Sequence, residues 1–300
     1  MIYTVTFNPA IDYLMWAENP TLGRTNRSLK EKLFIGGKGI NVSRILNTLD
    51  VPTTAMGFLG GFTGKEIENF LKKQGVNTDF IWLENRNSRI NVKLKGNAET
   101  EINGVGPKIL DEEIALLISK LSTINEGDTL VLAGSIPNSL PKNIYEIILN
   151  TLKGKNVRLV IDAEGELLTN CLKFNPFLIK PNKDELSALF GKELKTDEEI
   201  ILCAKELQSK GAENVLVSLG KDGAILITKE EVYKAKAKRG KTINSVGAGD
   251  SMVAGFLAGY FKTKDFSLAL ELGIASGSAT AFCEDLAEKE EILSLFGQSF

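Results

Sequence analysis

The stretch VGAGDSMVAGF at residues 246–256 decides how the rest of this sequence is interpreted. Its glycines permit a tight turn, and Val253, Phe256 and Tyr260 then follow at helical spacing, so the pattern predicts a loop that runs into a helix N-terminus. Unpaired N–H groups at such an end favour an anion, and the small residues at 247–249 leave room for one. Asp250 would lie beside that anion. The alternative is a turn in which Asp250 caps the helix, and this stretch alone leaves both interpretations open.

Composition points to a globular chain that acts on a small molecule. The 300 residues are 43% apolar and 25% charged with a net charge of -2, so nothing attracts nucleic acid. The N-terminus lacks a basic segment before an apolar core, and the longest apolar run, residues 252–261, is too short to span a bilayer. Three widely spaced cysteines suit a reducing compartment. We therefore expect a cytoplasmic protein with no membrane or nucleic-acid partner.

The sequence contains no histidine. Acid–base chemistry near neutral pH must then use a carboxylate, lysine, tyrosine or cysteine, which gives Asp250 more weight as a functional group.

A second glycine-rich loop, GGKGIN at residues 36–41, also opens a helix, because apolar residues follow it at helical spacing. Its glycines allow a ligand to approach the backbone, and Lys38 offers a mobile cation. Neither loop is a standard nucleotide fingerprint. The pattern Gly-x-Gly-x-x-Gly fails at Met252 and Val42, and Ala235 replaces the first glycine of a P-loop ending at Thr242. These motifs do not support a dinucleotide fold or a Walker-type ATPase.

From about residue 108 onward, near-continuous apolar strands alternate with helical patterns. This alternation predicts a mostly parallel sheet covered by helices on both faces, and ligands of such sheets bind at the carboxyl ends of the strands. Several polar residues and one glycine follow directly on predicted strands and should converge at that edge; they are Asp12, Ser135, Asn182, Glu185, Ser218 and Gly220. Asp12 is expected in a loop after an N-terminal strand that a proline ends.

Residues 13–35 and 88–104 do not fit this alternation and are predicted to pair as a small β-sheet lid. Residues 89–95 alternate strictly, with apolar Ile90, Val92 and Leu94 on one face and polar residues including Arg89 on the other. The polar face is either simply solvated or arranged for an anionic ligand.

Four motifs now resemble, in order and spacing, those of the ribokinase-like (PfkB) carbohydrate kinases across essentially the whole chain: GGKGIN (36–41), KPNKDE (180–185), SLGKDG (218–223) and VGAGDS (246–251). NPAID (8–12), SRINVKL (88–94) and AGSIP (133–137) resemble most the members that phosphorylate fructose 1-phosphate, with tagatose-6-phosphate kinases as near neighbours. The resemblance implies one ribokinase-like three-layer α/β/α domain over residues 1–300, with the discontinuous lid attached.

The resemblance also implies phosphoryl transfer from MgATP to a sugar hydroxyl, with Asp250 as the base and the backbone of Gly247, Ala248 and Gly249 as the anion hole. The implied sugar-phosphate contacts are Asp12, Gly36, Gly37, Lys38, Asn41, Arg89 and Ser135. The implied ATP contacts are Lys180, Asn182, Ser218, Leu219, Gly220, Lys221, Asp222, Gly223, Gly249, Ile274 and Ser278. Asn182 and Glu185 would organise Mg2+ through water.

A sugar phosphate needs a cationic clamp, which we expect Arg89 to provide together with Arg24 or Arg27. Lids of related kinases pair across subunits, so a homodimer is expected. The expected reaction converts fructose 1-phosphate to fructose 1,6-bisphosphate. Two alternatives stay open: a tagatose-6-phosphate kinase, and a non-catalytic sensor that binds a sugar phosphate or nucleotide on the same fold.

Overall fold

The computed structural model describes residues 1–96 and 99–297. The strands of these residues are β1 (Ile2–Thr6), β2 (Ala10–Trp16), β3 (Lys30–Gly36), β4 (Thr53–Gly60), β5 (Asn77–Leu83), β6 (Arg89–Lys95), β7 (Glu99–Asn103), β8 (Thr129–Ala133), β9 (Arg158–Asp162), β10 (Leu178–Ile179), β11 (Asn214–Ser218), β12 (Ala224–Ile227) and β13 (Val232–Ala235). The helices are α1 (Lys38–Thr48), α2 (Gly61–Lys73), α3 (Asp111–Leu121), α4 (Ile144–Thr151), α5 (Gly165–Thr169), α6 (Lys183–Phe190), α7 (Asp197–Ser209), α8 (Ala248–Thr263), α9 (Phe266–Ala281) and α10 (Lys289–Phe296).

The central element is a large sheet with the strand order β13-β12-β11-β10-β9-β8-β1-β4-β5. Its neighbouring strands are parallel except where β12 pairs with β11 and β13. This arrangement confirms the predicted mostly parallel sheet. The carboxyl ends of its central strands therefore meet at one edge, where ligands of such sheets bind.

Alternate residues of the central strands supply two separate cores. Leu132, Ile161 and Val217 belong to the core under α3, α4, α6 and α7. Val131, Val160 and Leu216 belong to the core under α1, α8, α9 and α10. Because successive side chains of a strand point to opposite faces, this division makes the three-layer α/β/α architecture, as the sequence predicted.

The small sheet consists of β3-β2-β6-β7 and is separate from the large one. β2 pairs antiparallel with β3 and parallel with β6, so residues about eighty positions apart lie side by side. Ile11 and Ile35 pack on α1 and α2 through a third core cluster, which attaches the small sheet to the body. Asp12 lies inside β2 and not in a loop after β1, so that prediction was wrong: the chain re-enters a strand directly after Pro9.

No helix of the described part of the chain is long and apolar enough to cross a membrane.

Candidate active site

A cleft of about 1630 Å3 lies at the carboxyl ends of the parallel strands. Its floor is built from the residues that follow β1, β8, β9, β10 and β11, and the small sheet contributes one wall. Of the residues predicted to form the site, it brings together Asp12, Gly36, Gly37, Lys38, Asn41, Arg89, Ser135, Lys180, Asn182, Glu185, Ser218, Leu219, Gly220, Lys221, Asp222, Gly247, Ala248, Gly249, Asp250, Ile274 and Ser278.

Three of the arginines and glycines considered for the site lie outside this lining. Arg24 and Arg27 are exposed in the connection between β2 and β3, so this chain does not bring them to its own cleft. Gly223 serves the fold instead, because its φ is 103° and a Cβ there would lie 2.0 Å from the carbonyl oxygen of Ala235. It permits the close approach between the start of β12 and the end of β13.

The N-terminus of α8 points into the cleft. Gly247 is its N-cap, with a left-handed φ of 79° and no side-chain capping bond. Any larger residue would meet Leu286, because a Cβ at Gly247 would lie 2.6 Å from that side chain. The N–H groups of the first helical turn have no partner within the helix, and the helix dipole adds a partial positive charge. This geometry makes a site for an anion.

Asp250 lies in that first turn, and only 6% of it is exposed. Its carboxylate accepts a hydrogen bond from Asn41 Nδ2 at 2.8 Å and makes none to the N-cap of its own helix. The alternative interpretation, in which Asp250 caps the helix, is therefore wrong. Burial, reinforced by the nearby charge of Asp162, raises the pKa of Asp250 to about 6, while Asn41, Lys38 and Lys180 oppose the rise. At neutral pH this carboxylate is ionised yet basic enough to accept a proton.

A buried carboxylate that the motifs did not reveal lies at the bottom of the cleft. Asp162, at the end of β9, is 1% exposed, and its Oδ1 lies 3.4 Å from Nζ of both Lys38 and Lys180. Its other oxygen, Oδ2, is buried and has no hydrogen-bond partner among the residues that the structure describes. Asp162 is thus the shared counter-ion of two lysines. Its position directly after a strand was the available signal, but a single aspartate in that position carries no motif.

The charge balance around Lys38 is also set by several carboxylates. Burial lowers the pKa of Lys38, but Asp162, Asp250, Glu185 and Glu164 together raise it above its ordinary value. Lys38 therefore stays protonated and can meet an anionic group in the cleft.

The small sheet supplies a polar cluster on the opposite wall. Asn91, 7% exposed, donates from Nδ2 to Asp12 Oδ1 at 2.7 Å. Arg89 donates from Nε to the carbonyl of Asn8 at 3.1 Å, and burial lowers its pKa while Asp12 raises it. Arg89 keeps its charge, since a guanidinium does not lose its proton in proteins. Of the polar face predicted for β6, Arg89 and Asn91 therefore line the cleft, whereas Lys93 and Lys95 pair with Glu101 and Glu99 and lie outside its lining.

The side of the cleft that is expected to hold the nucleotide is lined by residues of β12, β13 and α9. Ile225 and Ala235 come from β12 and β13, and Ile274, Gly277 and Ser278 come from α9. The segment after β13 adds three cationic side chains to this rim that the motifs did not reveal: Lys236, Lys238 and Arg239.

Asn182 and Glu185, expected to organise a metal, form a capping box at the start of α6. Asn182 Oδ1 accepts from Glu185 N at 2.7 Å, and Glu185 Oε2 accepts from Asn182 N at 2.8 Å. No group of three or more acidic, histidine or cysteine side chains among the described residues could hold a metal ion directly. A metal here would need water and substrate oxygens to complete its coordination.

Comparison with known proteins agrees with this geometry. The family model for pfkB family carbohydrate kinases matches residues 5–292. The chain is 48% identical over 295 residues to the 1-phosphofructokinase of Bacillus subtilis, covering 98% of this chain and 97% of that protein. It is 38% identical over 293 residues to the D-tagatose-1-phosphate kinase of Bacillus licheniformis, covering 97% and 96%. The structure of Escherichia coli phosphofructokinase-2 in complex with fructose-6-phosphate superposes with a TM-score of 0.90 at 26% identity, covering 99% of this chain and 98% of that one.

The three-layer fold and its cleft, taken with these matches, define an ATP-dependent carbohydrate kinase. The chain belongs to the pfkB family, which confirms the resemblance seen in its four motifs.

Proposed function

We propose that this enzyme transfers the γ-phosphoryl group of ATP to the 6-hydroxyl of fructose 1-phosphate, forming fructose 1,6-bisphosphate and ADP. The observation that carries the proposal is the buried Asp250 carboxylate, with its raised pKa, in the first turn of α8 beside the anion site. A base next to an anion hole is what phosphoryl transfer to an alcohol requires. The similarity to the Bacillus subtilis enzyme supports the choice of acceptor.

In the proposed reaction the substrate oxygen attacks the γ-phosphorus while the bond from that phosphorus to the ADP oxygen breaks. Asp250 accepts the hydroxyl proton as the new P–O bond forms. The N–H groups of Gly249 and Asp250 donate to the transferred phosphoryl oxygens, where negative charge is spread in the transition state. Lys38 and Lys180, held on either side of Asp162, supply two further positive charges.

The residues present fit Mg2+ held through water. Asn182 and Glu185 use only part of their hydrogen-bonding capacity in the capping box, and Asp162, whose buried Oδ2 has no partner among the described residues, lines the same cleft. Magnesium keeps several waters and commonly takes one or two carboxylates plus substrate phosphates. When bound, the ion would neutralise charge on the phosphates of ATP. The ATP contacts proposed above lie along β11, the turn at residues 220–222 and α9.

At the acceptor end, Asp12, Gly37 and Asn41 would bind sugar hydroxyls, and Gly36 and Ser135 line the same cleft. Arg89 would grip the phosphate that the acceptor already carries. We treat residues 1–300 as one domain in which the small sheet acts as a lid over the acceptor. Closure of such a lid excludes water from the transferred phosphoryl group.

We further propose that the enzyme is a homodimer joined through the outer face of the small sheet. Leu33, Ile90 and Ile102 on that face are 47%, 40% and 67% exposed. Exposed apolar side chains that share one face of a sheet are typical of a surface that another molecule covers. Arg24 and Arg27, which lie away from their own cleft, could reach the acceptor phosphate only from a partner subunit.

The acceptor is tested by measuring kcat/KM for fructose 1-phosphate, fructose 6-phosphate, tagatose 1-phosphate and tagatose 6-phosphate in one coupled assay for ADP release. Fructose 1-phosphate should exceed each of the others by about tenfold or more, since a site built to hydrogen-bond a hydroxyl rejects misplaced ones. A higher value for either tagatose phosphate would assign that acceptor instead. Binding of these sugars without ADP release would favour the non-catalytic sensor.

A further inference from the structure

Asn91 stands in the middle of β6, on the face of the small sheet that lines the cleft. The register of the parallel β2–β6 pair places it directly opposite Asp12. Only 7% of Asn91 is exposed, so its amide is committed to partners within the protein. No motif of the sequence assigns it a role.

The hydrogen bonds of Asn91 leave its amide one orientation. Gly104 N donates to Asn91 Oδ1 at 3.2 Å, and a backbone N–H can only donate, so the oxygen of the amide must face Gly104. The NH2 group then faces Asp12 and donates to its Oδ1 at 2.7 Å. Asn91 therefore demands an acceptor at Asp12 Oδ1, which an ionised carboxylate supplies.

The second oxygen of Asp12 is confined on its other side. A Cβ added at Gly36 would lie 2.7 Å from Asp12 Oδ2, so the absence of a side chain at Gly36 is what makes room for that oxygen. Asn91 thus fixes Oδ1 of Asp12 inside the sheet, Gly36 leaves room for Oδ2, and Asp12 itself lines the cleft. Arg89, on the same strand as Asn91, lies close enough to Asp12 for that charge to raise the pKa of the guanidinium against the effect of burial.

We propose that Asn91 is a positioning residue for acceptor recognition: it fixes Asp12 so that Oδ2 can accept a hydrogen bond from a sugar hydroxyl. The inference rests on the proposed function, because it requires that Asp12 binds the acceptor. A purely structural Asn91 would serve only to satisfy the N–H of Gly104, and substitution would then affect stability without a specific effect on the sugar.

Two substitutions separate these roles. Asn91→Asp keeps the size and the acceptor for Gly104 N, but it brings a second carboxylate against Asp12, and two such groups tend to share one proton. Asn91→Ala removes the bond to Asp12 without adding charge. The matched control is Asn103→Asp, since Asn103 pairs with Asn91 across the β6–β7 ladder, is exposed and does not line the cleft.

The experiment measures the Kd of fructose 1-phosphate by calorimetry between pH 5.5 and pH 8, with the Kd of ATP and the Tm measured alongside. Asn91→Asp should weaken fructose 1-phosphate binding about 10- to 100-fold at pH 8, and part of this loss should disappear toward pH 5.5 as the carboxylates share a proton. Asn91→Ala should weaken it by a similar factor at every pH. Asn103→Asp should change the Kd less than about twofold, and ATP binding should be unchanged in all three variants.

Wild-type affinity for fructose 1-phosphate in both Asn91 variants would overturn the inference. A loss that is the same at every pH in Asn91→Asp, with ATP binding and Tm falling alongside, would also overturn it and assign a structural role.

The variant Asp12→Asn distinguishes a failure of the role proposed for Asp12 from a failure of the role proposed for Asn91. If Asp12→Asn binds fructose 1-phosphate as the wild type does, then Asp12 does not bind the acceptor, and the inference about Asn91 is wrong as well. If Asp12→Asn binds poorly and the Asn91 variants bind normally, only the inference falls.

Discussion

At the residue scale the site depends on a carboxylate that the fold makes more basic. Asp250 is buried, and the negative charge of Asp162 lies nearby. Burial and this charge both disfavour the ionised form of Asp250. The anion site and the side chains of Lys38 and Lys180 offset part of the cost of ionising Asp250, because they supply positive charge near its carboxylate. Motifs could predict Asp250, but its raised pKa depends on burial and on a neighbour eighty-eight positions earlier in the chain, which spacing does not show.

Asp250→Asn should lower kcat by about 10²- to 10⁴-fold while leaving ATP binding largely intact, because the variant lacks only the proton acceptor. The wild-type kcat/KM should fall as the pH drops through about 6, since protonation of Asp250 in the free enzyme removes the base. Steady-state kinetics from pH 5 to pH 9 check both statements. Turnover near the wild-type value in Asp250→Asn would remove Asp250 from the role of base.

Asp162→Asn should move the acid limb of this pH profile to lower pH. Removal of the negative charge of Asp162 eliminates one of the two influences that raise the pKa of Asp250, so Asp250 stays ionised in more acidic solution. The midpoint of kcat/KM against pH measures the shift. Asp12→Asn is the matched control, an identical substitution at another carboxylate of the cleft, and its midpoint should stay at the wild-type value. An unmoved midpoint in Asp162→Asn would show that burial alone sets the pKa.

At the scale of elements, helices and the strands of the large sheet were predictable because their patterns are local. The alternation predicted from about residue 108 onward agrees with the order α3, β8, α4, β9 and α5 in the structure. The Asp12 prediction failed because β2 has no local signal that separates it from a loop after Pro9. It forms a strand because β3 and β6 pair with it on either side, and those partners lie far away in the sequence.

Helix α8 carries the proposed base and the anion site, and its close contact with α9 sets its position. A Cβ at Gly255 would lie 2.3 Å from Ser276 Oγ and 2.6 Å from the carbonyl oxygen of Leu272. Gly255→Ala should therefore displace α8, destabilise the protein by about 1–3 kcal/mol and lower kcat, because Asp250 and the anion site move with the helix. Thermal unfolding and kinetics at saturating substrate measure the two effects. Full activity with unchanged Tm would show that α8 tolerates a wider separation from α9.

At the scale of the whole molecule, the sequence pattern predicted a large sheet and a small sheet, but it did not predict how the two sheets contact each other. Residues 13–35 and 88–104 were expected to pair, and the structure pairs β2 with β6 inside or next to those limits. The register between β2 and β6 could not be predicted, because the spacing of residues within two distant segments does not show which residues pair. That register places Asn91 opposite Asp12, and it leaves the apolar face of the small sheet on the outside.

This outer face makes a final prediction about assembly. The wild type, at 32.7 kDa per chain, should behave as a dimer by light scattering at micromolar concentration. Ile102→Glu should shift it toward monomer, since a charge at the centre of an apolar contact loses its water without gaining a partner. Leu202→Glu is the matched control, because Leu202 is also 67% exposed but lies on α7, away from the small sheet. A monomeric wild type would refute the dimer, and an equal effect of both variants would place the interface elsewhere.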